Sequence, residues 1–151
     1  MNAVITLLSI ALLAVSQPAL ALTLQYQNKE VFLSQQELIE NRNFTHKMYG
    51  PFRRQEVVYE GYDLSLFLQQ NLNVNANTVV IDAIDGYKMT LRNIDSRPLM
   101  LVVKEDSRPL SIREHGPSRI IETDLGGRDV RNISLFDDWV WMIKKIEVID
   151  D

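Results

Sequence analysis

The 151-residue chain contains no cysteine. That excludes disulfides, a zinc ribbon, and a thiolate serving as nucleophile or metal ligand. Histidine is nearly absent too. His46 and His115 are the only two, which leaves an all-protein transition-metal site short of nitrogen donors. There is no basic excess: 20 acidic residues against 16 basic ones give a formal net charge of −4. A nucleic-acid partner is therefore not expected, because its binders carry a basic stripe. The chain also lacks a phosphate-cradling glycine loop, a G-x-S-x-G nucleophile elbow and an H-E-x-x-H pair. The Gly126-Gly127 pair is too short a signal to stand for the first of these. No repeat, linker or low-complexity tract interrupts the sequence.

What is present begins with one apolar run, Ala3 to Val15, followed by Pro18 and the triplet Ala19-Leu20-Ala21. The run is shorter than the roughly 20 residues a spanning helix needs. A short apolar core ending in small-x-small reads as a secretory signal peptide over residues 1–21, cleaved after Ala21, although no Lys or Arg precedes it. A membrane anchor is the alternative. The reading predicts a periplasmic protein with a single domain over residues 22–151, of ordinary composition at 24% charged and 46% hydrophobic residues.

Along that domain, Leu22 to Tyr26 and Glu30 to Leu33 read as short strands. Ser34-Gln35-Gln36-Glu37 is a capping box opening a helix to about Asn41. Gly50-Pro51 marks a turn, Gln55 to Tyr59 is β-rich, and Gly61 is expected to end that strand. Asp63 caps a short amphipathic helix with Leu64, Phe67 and Leu68 on one face. Thr78 to Ile84 and Leu99 to Val103 are apolar enough for burial on both faces. Asp85-Gly86 closes a hairpin whose second arm is Tyr87 to Leu91. Arg119 to Glu122 is strand-like, Asp129 to about Leu135 reads as a short helix, and Trp139 to Ile149 as one or two strands. The expected class is α+β: a mixed sheet with short peripheral helices, strands predominating.

Three stretches could carry chemistry. Asp82, Asp85 and Tyr87 bracket a tight turn, where aspartate is equally at home as a structural residue. Arg113, His115 and Arg119 flank the Gly116-Pro117 break. Arginine forks suit flat polar heterocycles and oxyanions, yet a charged surface loop has the same composition. Trp139 and Trp141 would share one face of a strand, as a wall for a planar ring or simply as core.

Read in order, these pieces resemble the molybdopterin-binding domain of the sulfite oxidase family, from about Val57 to Val148. Tyr59-Glu60-Gly61-Tyr62-Asp63-Leu64 with Phe67-Leu68 resembles its aromatic-x-Gly-x-x-Leu segment, and Asp85-Gly86-Tyr87 its Asp-x-Tyr hairpin. The stretch Leu99 to Val103, Arg108-Pro109-Leu110 and His115-Gly116-Pro117-Ser118-Arg119 is similar to its strand, Pro-Leu turn and HG…P…R element. Trp141, Ile143, Ile146 and Val148 resemble its closing Trp-x-x-x-Ile-x-Val strands. The HG…P…R element is one residue shorter here, and the cysteine that binds molybdenum in the enzymes has no counterpart. Small exported proteins of this kind resemble the PruR-like periplasmic pterin-binding regulators.

The resemblance implies a sulfite-oxidase-like fold and a pterin as ligand, with no tightly bound cofactor, no molybdenum and no catalysis. The implied ligand-binding set is Asp82, Asp85, Tyr87, Arg113, His115, Arg119, Trp139 and Trp141. The implied partner is the periplasmic domain of an inner-membrane sensor, a diguanylate cyclase/phosphodiesterase or a histidine kinase, so that the protein would regulate cyclic di-GMP or kinase signalling. Two alternatives stay open: a molybdopterin-dependent oxidoreductase with atypical metal ligation, and a ligand-free interaction domain.

Overall fold

The computed structural model describes residues 21–150. The segment read as a signal peptide lies outside them, apart from Ala21. Among the described residues no helix is long and apolar enough to cross a membrane.

The chain begins with a hairpin, β1 (Ala21–Tyr26) and β2 (Lys29–Ser34). Helix α1 (Gln35–Glu40) follows at once, because Ser34 and Glu37 form the expected capping box: each side chain takes up the other's free backbone N–H. An edge strand, β3 (Phe44–Gly50), turns through residues 51–54 into β4 (Gln55–Asp63). The Asp63 carboxylate accepts from Leu66 N and starts α2 (Leu64–Leu72), which ends on Asn73 in the left-handed conformation. The hairpin β5 (Thr78–Ala83) and β6 (Lys88–Leu91) comes next, then β7 (Leu99–Glu105), β8 (Arg108–Pro109), β9 (Arg119–Glu122) and β10 (Ile143–Ile149). Two 3-10 turns, Ile112–Glu114 and Ile133–Phe136, sit in the last connections.

The strands form two sheets. The first has the order β2-β1-β10-β5-β6 and is mixed, since β1 and β10 run parallel while the other pairs are antiparallel. The second has the order β3-β4-β7-β8, with β9 also paired to β7. Alternation along β7 buries it on both sides. Leu99, Leu101 and Val103 enter a large core containing residues of both sheets and both helices, whereas Met100 and Val102 enter a smaller one with Val57, Tyr59, Phe136 and Trp139.

Gly61 does not end β4. The strand runs two residues further, and the glycine is needed for close approach: a Cβ there would sit 1.8 Å from the Leu101 carbonyl oxygen. Beside it, Glu60 pairs with Lys104 but Gly61 pairs with Val102, so Val103 is an extra residue in β7. The bulge carries Glu105 onto the face of Tyr59, its cross-strand partner, and of Val102.

The expected helix from Asp129 shrinks to the 3-10 turn Ile133–Phe136. Trp139 and Trp141 precede β10 and lie in an irregular segment, so strand alternation does not set their directions.

Candidate functional site

Three loops meet at one edge of the molecule. The β5–β6 turn is closed by Gly86 N–H donating to the Ala83 oxygen and by Tyr87 N–H donating to Asp85 Oδ1 at 3.1 Å. Ile84 N–H donates to the Met142 oxygen at 2.7 Å, which fastens this turn to the segment carrying Trp139 and Trp141. That segment is fastened in turn to the Gly-Pro element. Ile120 N–H donates to the Val140 oxygen, Met142 N–H to the His115 oxygen, and Arg119 forms an isolated bridge with Trp141.

Between the β5–β6 turn, the segment carrying the tryptophans and Phe52 of the β3–β4 turn lies a hollow of about 520 Å³, within the usual size range of small-molecule pockets. Its walls include Phe52, Phe136, Trp139, Trp141 and Tyr87, together with two acidic residues, Asp85 and Asp137. The aromatic groups are packed against one another. Phe52 meets Trp141 edge-on at 5.2 Å and Trp139 at 6.3 Å, and Phe136 meets Trp139 edge-on at 5.0 Å. Trp139 is only 2% exposed and belongs to the smaller core, while Trp141 is half-buried. The two indoles therefore divide the work: one is anchored in the core, the other lies nearer solvent.

A buried charged layer supports the wall. Arg119 is fully buried and donates from Nη1 to Glu105 Oε1 at 2.9 Å. Glu105 Oε2 accepts from Arg53 Nε at 2.7 Å, and Arg53 also donates to the Glu114 oxygen. One carboxylate, placed by the β7 bulge, thus holds two guanidinium groups. Arg53 neighbours Phe52 in the β3–β4 turn, and the Arg119 guanidinium carbon lies 5.9 Å from the Phe52 ring centre. His115 has φ 69° and stacks on Trp141 at 4.7 Å. Burial first, and then the charges of Arg119 and Arg53, push its imidazole below the ordinary value. Burial likewise pushes the Tyr59 phenol up to about 12. Tyr59 Oη, His115 Nδ1, Ser118 Oγ, Arg119 Nε and Trp139 Nε1 are buried without a hydrogen-bond partner among the described residues.

A second network braces the opposite wall. Arg97 donates to both oxygens of Glu122 and to Asp138, and Arg128 donates to Glu122 while its guanidinium lies 4.7 Å from the Phe136 ring centre. These contacts tie β9 to the chain around Asp137 and Trp139.

Of the eight residues singled out in the sequence, four line the hollow: Asp85, Tyr87, Trp139 and Trp141. His115 and Arg119 stand behind it, against Trp141 and Phe52 respectively. Asp82 and Arg113 are elsewhere. Asp82 faces Lys88 across the hairpin in a 3.0 Å ion pair, and Arg113 is exposed on the first 3-10 turn. Sequence reasoning missed Phe52, Ile133, Ser134, Phe136, Asp137 and Val140 as lining residues. Asp137 adjoins the flagged tryptophans, but nothing local marks Phe52, which reaches the site only through the β3–β4 turn.

No protein-family model matches the chain, and no curated protein matches its sequence. Among solved structures, the sulfane dehydrogenase SoxCD from Paracoccus pantotrophus shares its fold, with a TM-score of 0.56 at 14% sequence identity. The match covers 87% of this chain and 38% of that one, so this chain spans well under half of the neighbour's length. The likeness supports the sulfite-oxidase-like arrangement expected from the sequence, with its mixed sheet, short peripheral helices and predominance of strands.

Proposed function

We propose that this protein binds a pterin in the aromatic hollow and, as an exported periplasmic protein, regulates a membrane-bound sensor. One observation carries the ligand half: two indoles, two phenyl rings and a phenol share a single hollow with two carboxylates. A pterin has two flat faces for the rings. Along one edge it has an amino group and a ring N–H side by side, which a carboxylate accepts together as paired hydrogen bonds. Asp85 and Asp137 are the carboxylates available for that edge. The export and sensor half rests on the N-terminal apolar run and on the PruR-like resemblance.

A molybdenum centre fits these residues poorly. The chain has no thiolate to offer, and the described residues hold no group of three or more His, Asp or Glu able to gather a metal ion.

Calorimetric titration of the purified exported protein with oxidised and reduced pterins tests the reading. Saturable binding at a 1:1 ratio is expected, with loss of affinity in Trp141→Ala. No binding of any pterin at high micromolar concentration would end it. Stoichiometric molybdenum in protein purified from its native compartment would replace it with the oxidoreductase reading.

A further inference from the structure

We infer that the hollow selects by charge, admitting planar ligands that are neutral or cationic and rejecting anionic ones. For a pterin, this means a form bearing neither phosphate nor carboxylate, and the inference rests on the pterin reading of this hollow. Ten residues line it, among them Asp85 and Asp137, and none is Lys, Arg or His. An anionic ligand would therefore meet two carboxylates with no cation in the lining. Both carboxylates are exposed, so the repulsion acts at close range and is strongest at low ionic strength.

The cations nearby are already held by other carboxylates. Arg119 and Arg53 share Glu105, Lys88 holds Asp82, and Arg97 and Arg128 hold Glu122, Arg97 also reaching Asp138. Arg119 is fully buried, so it cannot swing out toward a ligand without unpairing a buried carboxylate. A neighbouring hollow also offers basic groups. Arg54 and Arg131 line a separate hollow of about 270 Å³ that shares Ile133 with the first, and Arg131 there pairs with Asp129 at 3.1 Å. Only a long substituent passing Ile133 would reach them. The carboxylate edge therefore does two things at once: it accepts the ring N–H donors, and it discriminates against negatively charged side chains.

The test uses the purified exported protein and three probes titrated by calorimetry: 6-hydroxymethylpterin, its phosphate monoester and pterin-6-carboxylate. The neutral pterin is expected to bind, and each anionic one at least about tenfold more weakly. In the Asp85→Asn/Asp137→Asn protein the gap should narrow, because the repulsion that only the two anionic probes meet is gone. Equal or tighter binding of either anionic probe by the parent protein would overturn the inference while leaving pterin binding intact. A gap unchanged in the double variant would also overturn it, since the carboxylates would not be its source. If none of the three binds, the pterin reading itself fails and the inference falls with it.

Discussion

Replacing Glu105 by Gln keeps the side chain's shape but removes the one charge that holds both Arg119 and Arg53. Arg119 is fully buried and, among the described residues, forms its ion pair with this carboxylate alone. Leaving a buried guanidinium uncompensated costs about 3–5 kcal/mol. Arg53, with a quarter of its side chain exposed, rehydrates and adds little. Against a typical domain stability of about 5–15 kcal/mol, the variant should still fold at 25 °C but lose a large fraction of its margin. In urea unfolding followed by tryptophan emission, the midpoint should fall by about 2 M. The damage has a second readout. Arg53 secures the turn that carries Phe52, so the hollow's wall should loosen and pterin affinity should fall even where the variant is fully folded. Substituting both partners, Glu105→Leu with Arg119→Met, replaces the buried pair by apolar volume and should return stability to within about 1 kcal/mol of the parent. A Glu105→Gln protein within 1 kcal/mol of the parent, or a double variant no better than the single one, would refute the reasoning.

The two tryptophans should separate fold from function. Trp139→Ala empties a core position and should cost about 3–5 kcal/mol in chemical denaturation, whereas Trp141→Ala should cost about 1–2 kcal/mol yet lower pterin affinity at least tenfold. If Trp141→Ala unfolds the protein instead, the aromatic cluster is core and the interaction-domain reading gains. His115 makes stability depend on pH: its folded value lies below the ordinary 6.5, so the folded state resists protonation. Its contribution is fully present above pH 6.5 and is lost as pH falls through the depressed folded value, so His115→Gln should flatten the slope of melting temperature against pH just below 6.5. Gly61→Ala places a methyl group against the Leu101 carbonyl and should cost more than about 3 kcal/mol, or prevent recovery of folded protein, by circular dichroism.

Much of the fold could be read locally, because its signals are local. The Ser34 capping box, the Asp63 cap, the Asp85-Gly86 hairpin and the apolar runs of β5 and β7 each depend on neighbours in sequence. Strand β3 was invisible for a physical reason: it is an edge strand, and Phe44-Thr45-His46-Lys47-Met48 mixes apolar and charged groups without clean alternation. Gly61 looked like a terminator because glycine usually punctuates; here a backbone contact across the sheet keeps it inside a strand. The site was half legible. Asp85, Tyr87, Trp139 and Trp141 come from short recognisable stretches, while Phe52 and Glu105 acquire their places through a turn and a bulge that pairing between distant segments creates. Asp82 was misplaced because strand alternation turns it away from the hollow toward Lys88, and Arg113 because the 3-10 turn leaves it in solvent.

The chain has only two tryptophans, so the indole N–H region of a ¹H–¹⁵N correlation spectrum should show two peaks, one from Trp139 and one from Trp141. Titrating a neutral pterin into the labelled protein should move both, Trp141 the more, together with the backbone amides of Asp85, Tyr87 and Asp137. Indole peaks that stay fixed while the pterin binds through shifts on a distant face, or a spectrum that does not change at all, would contradict the account.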